Sequence, residues 1–283
     1  MERARDRRER EREVLDGSKI ELVSLDRDHP GFKDELYRHR RNEIASLAAN
    51  WDGKSPLPSV DYNPTEQGIW TEIWSHLDEM HQQKACRAYL EGCERFSFSR
   101  DHIPSFASVN ERLGELEGFE LAPVAGLVLP ETFLIQLGRR RFLATQYMRH
   151  HSTPLYTPEP DVVHEYVGHV PFLAHPELAE LNRAFGIATE GASPERIEEL
   201  IRVYWYTIEF GLLEEDDQLK VYGAGILSSF GELGRYENDA EHRPWDLETM
   251  AHDDYDPTDY QAHLYVAPSY ARMRDDLMRW LGV

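Results

Sequence analysis

The sequence predicts one mostly helical domain with a small amount of extended structure, and three observations carry that expectation. Between Asn63 and Phe96, the residues Ile69, Ile73, Leu77, Met80, Tyr89 and Cys93 recur at spacings of three, four and seven, the period of an amphipathic helix or of two in tandem. Ser193-Pro194 places an N-cap and a first-turn proline ahead of the long run ERIEELIRVYWYTIEFGLL, which reads as helix up to the acidic turn EEDD. In contrast, PVAGLVLP at 123–130 is a short apolar run closed by prolines, which suits a strand or a buried loop better than a helix.

The remaining elements follow in order. Residues 1–20 form a charged, flexible arm, since MERARDRRERERE alternates arginine and glutamate with almost nothing apolar. A short helical piece between Phe106 and Glu120 stops at Gly118, and FLIQLGRRRFLATQYMRH at 133–150 returns to helix or strand. The proline-rich TPEPD at 157–161 is loop, and helix resumes near Asp161. No repeat or linker follows residue 20, so 21–283 is expected to be a single domain.

Composition limits the function. The chain has 283 residues, 41% of them hydrophobic, enough to bury a substantial core. Its formal charge of −21 opposes polyanion binding through the general surface, so no nucleic-acid partner is expected. There is no signal-peptide core and no run of 18 apolar residues. The two cysteines, Cys86 and Cys93, have neither CxxC spacing nor a disulfide framework. A soluble, cytoplasmic protein without a membrane partner is the expectation.

The chemistry centres on TPEPDVVHEYVGHVP at 157–171. His164-Glu165 followed by His169 superficially matches HExxH, but those histidines need a four-residue spacing to share a helix face. Five residues at about 100° each leave roughly 140° between them. The expected solution is a left-handed cap at Gly168 that ends the helix, with Pro171 preventing its continuation, so that His169 swings back toward His164. Glu209, on the otherwise apolar YWYTIEFGLL, is the candidate third ligand, because an ionised carboxylate on a buried helix needs a metal or cation. Two histidines and a carboxylate on one octahedral face are the set used by non-haem Fe(II) oxygenases. The alternatives at this point are hydrogen-bonded core histidines, a metal-dependent hydrolase, or a metal-binding module without turnover.

From HPGFKDELYRHRR at 29–41, through PVAGL, TQYMRH, TPEPDVVHEYVGHVP, YWYTIEFGL and YGAGILSSFGEL, to LYVAPSY at 264–270, the chain resembles the catalytic domain of the pterin-dependent aromatic amino acid hydroxylases. The resemblance implies that family's mostly helical α+β fold, one Fe(II) on His164, His169 and Glu209, a tetrahydropterin cofactor, and O₂ as co-substrate. It implies hydroxylation of a free aromatic amino acid, most simply L-phenylalanine to L-tyrosine, with tryptophan hydroxylation as the alternative. Arg149 would clamp the substrate carboxylate and Asp161 would hold that guanidinium. Thr157 and Ser228 would add hydrogen bonds, Gly225 would leave room, and Pro160, Trp205 and Phe210 would line the ring pocket. For the pterin it implies stacking on Phe133, backbone contacts from Gly126, Leu127 and Val128, and a role for Glu165 near the ring.

Leu143 and Leu264 depart from animal phenylalanine hydroxylases, where a histidine and a tyrosine align. Only about 30 residues precede HPGFKD and the chain stops soon after LYVAPSY, so a monomer without substrate-driven regulation is expected.

Overall fold

The computed structural model describes residues 23, 25–155, 157, 159–257 and 259–283. The arginine- and glutamate-rich arm therefore lies outside the described residues. α1 (Glu35–Ala49) is capped by Asp34, whose Oδ1 accepts the Tyr37 amide at 3.0 Å. α2 (Pro64–Lys84) starts with a capping box between Asn63 and Glu66. It is separated from α3 (Arg87–Phe96) by two extended residues, Ala85 and Cys86, so the periodic segment is two helices in tandem. The Cys86 amide donates to the Val221 carbonyl at 2.8 Å, which pins the break to the sheet.

α4 (Phe106–Glu115) precedes Gly118, whose φ of +72° turns the chain into β1 (Glu120–Pro123). β1 pairs in parallel with β2 (Arg141–Ala144), and α5 (Pro130–Gly138) crosses between them. After the loop of 145–161 the chain enters a helix containing a π-helical turn, His164–His169, that runs directly into α6 (Val170–Ala174). α7 (Pro176–Thr189) and α8 (Pro194–Tyr204) follow, α8 capped by Ser193 as expected, and α8 continues into a second π-helical turn, Trp205–Glu209.

The extension of this helix through Leu213 is not what forms. The chain turns instead into a hairpin, β3 (Leu212–Glu215) and β4 (Gln218–Val221), with Asp216 and Asp217 at φ of 52° and 56°. Two successive positive φ values give the hairpin turn whose twist matches its strands, and aspartate tolerates that region better than most residues. α9 (Ala224–Leu227), α10 (Phe230–Arg235), β5 (Glu241–Pro244), α11 (Leu247–His252), β6 (His263–Ala267) and α12 (Tyr270–Leu281) complete the described chain. The larger sheet has the order β4-β3-β6-β5, antiparallel only between β3 and β4. Helices and two small sheets thus make the α+β arrangement the resemblance implies.

One apolar cluster runs from Ile69 to Leu281 and joins both sheets to the helices. Trp70 and Trp74 of α2 meet edge to face with centroids 5.6 Å apart, both essentially fully buried. Each such side chain contributes about 1.5–3 kcal/mol of burial free energy or more. The Val162, Val163, Tyr166 and Val167 side chains belong to the same cluster, so the helix carrying the histidines is anchored on the core. Among the described residues, no helix is long and apolar enough to cross a membrane.

Candidate metal centre and surrounding pocket

His164 and His169 converge, but not by the expected cap. Gly168 lacks a positive φ; among the described residues those glycines are Gly53, Gly118, Gly191 and Gly282. The helix instead widens. Bonds from residue i+5, such as Val170 N–H to the Glu165 carbonyl, give roughly 4.4 residues per turn, so a five-residue spacing returns to nearly the same face. Gly168 serves close approach: a Cβ there would sit 2.8 Å from the Ala224 carbonyl oxygen of α9. Pro171 does not stop the helix either, because α6 carries it in its first turn, where a missing N–H is tolerated.

The second π turn delivers Glu209. Phe210 N–H bonds the Trp205 carbonyl at 2.9 Å, the same i+5 pattern. His164 Nε2 and His169 Nε2 are 3.0 Å apart, and Glu209 places Oε1 3.2 Å from the latter and Oε2 3.6 Å from the former. Adjacent ligands each about 2.1 Å from one metal ion would be roughly 3 Å apart, so this donor triangle fits a single ion. His164 Nδ1 lies 3.0 Å from Ser228 Oγ, whose own proton goes to the Ala224 carbonyl at 2.8 Å. The serine oxygen therefore accepts from Nδ1–H, which leaves the Nε2 lone pair facing the triangle.

Electrostatics match this arrangement. Burial, with the neighbouring His169, pushes the His164 pKa down to about 4, which keeps the imidazole neutral. At His169 burial also opposes charge, but the Glu209 carboxylate outweighs it and raises the pKa. Burial would raise Glu209, yet the two histidines hold its carboxyl below the ordinary range. Glu165 also lies in the cluster, with a carboxylate oxygen within 4.8 Å of the histidine donors. Its Oε1 is engaged by the Thr145 amide and hydroxyl, both at 3.0 Å, and burial pushes its pKa up to about 7. A carboxyl held this way and inclined to keep its proton is a poorer ligand than Glu209.

Around the triangle, Arg149 and Asp161 form a buried bidentate pair, Nε to Oδ2 at 2.9 Å and Nη2 to Oδ1 at 2.8 Å. Asp161 also accepts the amides of Arg149 and His164, so one carboxylate ties the arginine to the start of the histidine helix. Thr157 donates to the Glu159 carbonyl at 2.9 Å. The Pro160 carbonyl accepts from the hydroxyls of Tyr147 and Thr145. Trp205 and Phe210 have ring centroids 4.6 Å apart. A Cβ on Gly225 would come 2.8 Å from Phe210 Cζ, so this glycine yields its space to that ring.

Phe133 is half-buried on α5, shortly after the loop in which Leu127 is exposed and Gly126 and Val128 are half-buried. It meets Phe142 edge-on at 5.1 Å, and Phe142 lies 4.7 Å from the His169 ring. A line of aromatic contacts thus connects Phe133 to the donor triangle. Leu143 is half-buried on β2, whereas Leu264 is in the core on β6.

Several contacts were not foreseen. Thr145 holds Glu165; Tyr255 stacks on Trp205 at 4.3 Å with the planes 16° apart; and Gln261 accepts the Trp205 indole N–H at 3.0 Å. Tyr255 and Gln261 lie in an acidic, aperiodic segment. Its signal is two tyrosines, Tyr255 and Tyr260, in an otherwise polar run.

Residues 15–282 match the model of the biopterin-dependent aromatic amino acid hydroxylase family. The chloroplastic phenylalanine 4-monooxygenase of Pinus taeda is 46% identical over 211 residues, which are 75% of this chain and 60% of the pine protein. The tyrosine 3-monooxygenase of Rattus norvegicus is 42% identical over 90% of this chain and 52% of its own length. The chain therefore spans about half to three-fifths of these relatives. The crystal structure of Chromobacterium violaceum phenylalanine hydroxylase, with bound iron(III) and oxidised 7,8-dihydrobiopterin, superposes with a TM-score of 0.72 at 31% identity, covering 78% of this chain and 82% of that one.

Proposed function

This chain belongs to the biopterin-dependent aromatic amino acid hydroxylase family, and from that premise we propose that it hydroxylates the ring of a free aromatic amino acid, converting L-phenylalanine to L-tyrosine with Fe(II), a tetrahydropterin and O₂. The observation that carries this reading is the donor triangle of His164, His169 and Glu209, with Ser228 setting the tautomer of one ligand. These three residues would hold the iron. When bound, iron and tetrahydropterin together supply the activation of O₂, one atom of which enters the ring while the pterin provides two electrons to reduce the other.

The chain's own residues bind and orient. Arg149, kept rigid by Asp161, presents its remaining guanidinium edge to the substrate carboxylate. Trp205, Phe210 and Pro160 line the ring slot, and Thr157 and Gly225 shape its margin. Phe133 offers a stacking face for the pterin, Gly126 to Val128 offer backbone groups, and Glu165 offers a carboxyl that burial pushes up to about 7, partly protonated near neutral pH and then able to donate to a ring nitrogen or oxygen.

Phenylalanine is favoured because the pine and Chromobacterium relatives are phenylalanine hydroxylases and because adjoining Trp205 and Phe210 suit a six-membered ring better than an indole. The test is anaerobic reconstitution with Fe(II), followed by O₂ and a tetrahydropterin, with phenylalanine, tyrosine and tryptophan competing and products identified by mass and retention. Mainly tyrosine is expected. A predominance of dihydroxyphenylalanine or hydroxytryptophan would reassign the substrate, and no hydroxylated product would overturn the class.

A further inference from the structure

A second set of ligand-type side chains gathers where α1 begins. Asp34, His150 and His151 each bring one donor atom into a group whose members lie within 4.8 Å of one another. None of the three belongs to the donor triangle of His164, His169 and Glu209. We propose that Asp34, His150 and His151 form a second divalent-cation site, suited to Zn(II) or a similar ion that accepts imidazole and carboxylate together, with water completing its coordination.

The geometry of His150 repeats that of His164. His164 sets Nδ1 against Ser228 Oγ at 3.0 Å and turns Nε2 to Glu209; His150 sets Nδ1 against Ser152 Oγ at 2.7 Å and turns Nε2 to Asp34 Oδ2 at 3.2 Å. A serine hydroxyl that accepts from Nδ1–H leaves Nε2 free to ligate, the arrangement found behind most metal-bound histidines. The Ser152 amide, 3.2 Å from the same Nδ1, favours the opposite tautomer, with Nε2–H donated to Asp34. Cation binding at Nε2 would move the ring proton to Nδ1, where Ser152 Oγ accepts it in place of the bond from the Ser152 amide.

Burial and mobility are divided as a binding site requires. His150 is only 6% exposed and is held by Tyr37, edge-on at 4.9 Å, whereas His151 is exposed with its ring centroid 4.2 Å from that of His150. Among the described residues no hydrogen bond engages His151, so its ring can turn to a ligand without breaking one. Asp34 is held below the usual carboxylate range by the Tyr37 amide and by His150, so it is anionic at neutral pH. Imidazole and carboxylate donors suit zinc, whose four-coordinate sites commonly keep one water. The net charge of −21 favours cation capture generally.

Such an ion would join the start of α1 to the turn that follows Arg149, bracing the substrate-loop side of the pocket without touching the iron ligands. The proposal does not depend on the hydroxylase reading. To test it, the iron-loaded full chain is dialysed anaerobically against Zn(II) and both metals are counted, alongside the thermal midpoint. We expect about one zinc per chain with iron retained, a higher midpoint, and a loss of at least tenfold in zinc affinity in His151→Gln, whose midpoint without zinc stays unchanged. Asp34→Asn is a second variant, expected to lose zinc while keeping iron. No zinc uptake, uptake matched by iron loss, or undiminished uptake by His151→Gln would each overturn the site.

Discussion

The Tyr89 hydroxyl donates to the Val167 carbonyl at 2.8 Å, within the π turn that holds His164 and His169. The widened helix meets Pro171 just beyond this acceptor, and α3 supplies a donor to it from outside. Both groups are buried.

Tyr89→Phe should therefore leave an unpaired carbonyl beside the π turn and cost about 1–3 kcal/mol in denaturant unfolding. Stability within a few tenths of a kcal/mol of the wild type would show that Val167 finds another donor.

Ser228→Ala removes the acceptor that fixes the His164 tautomer while leaving the fold intact, since a hydroxyl is replaced by hydrogen. Loss of such a partner typically costs 10–100-fold in metal affinity. Competition with a chelator of known affinity should reveal that weakening, with an unchanged thermal midpoint in the metal-free protein. Equal affinity would mean the tautomer is set elsewhere.

Arg149→Lys keeps the charge but cannot reproduce the two-bond pairing with Asp161 and a second pairing with a carboxylate. A lost charge-assisted bond of about 1.5–3 kcal/mol corresponds to roughly 10–150-fold. The apparent KM for the amino acid should rise by that factor while the KM for the pterin stays nearly constant. Parallel rises in both constants would point to general loosening of the pocket.

Glu232 gives a pH signature outside the site. It is 8% exposed, and burial pushes its carboxyl up to about 7 from an ordinary 4.5. The folded chain therefore binds more protons than the unfolded one between these values, so this group's stabilising effect is complete below about 4.5 and is lost as pH rises through about 7. Glu232→Gln should remove that dependence, so its stability relative to wild type should increase by up to about 3 kcal/mol between pH 4 and pH 8. A constant difference across that range would mean Glu232 titrates normally.

The sequence was readable where local chemistry acts alone. Ser193 announces its helix because a cap is a local hydrogen bond, and Glu209 stands out as a lone carboxylate in an apolar run. The π turns are not readable, because an i+5 bond changes the helical angle without changing composition, so the sequence suggests a cap at Gly168 where the structure has close contact with Ala224. The hairpin at Asp216-Asp217 was also hidden, since Leu212 to Glu215 suit a helix locally and only pairing with β6 and β4 makes them a strand. Tyr255 against Trp205 is a contact across fifty residues that no local pattern encodes.

Two π turns bring the donor atoms of His164, His169 and Glu209 into one triangle, which we propose holds the iron without Glu165. The most direct measurement is anaerobic Fe(II) binding by the metal-free chain, with free and bound iron counted at equilibrium. Wild type and Glu165→Gln should each bind one tight equivalent, and His169→Ala and Glu209→Ala should bind none at the same free iron. A full tight equivalent on Glu209→Ala, or its loss in Glu165→Gln, would overturn that ligand set.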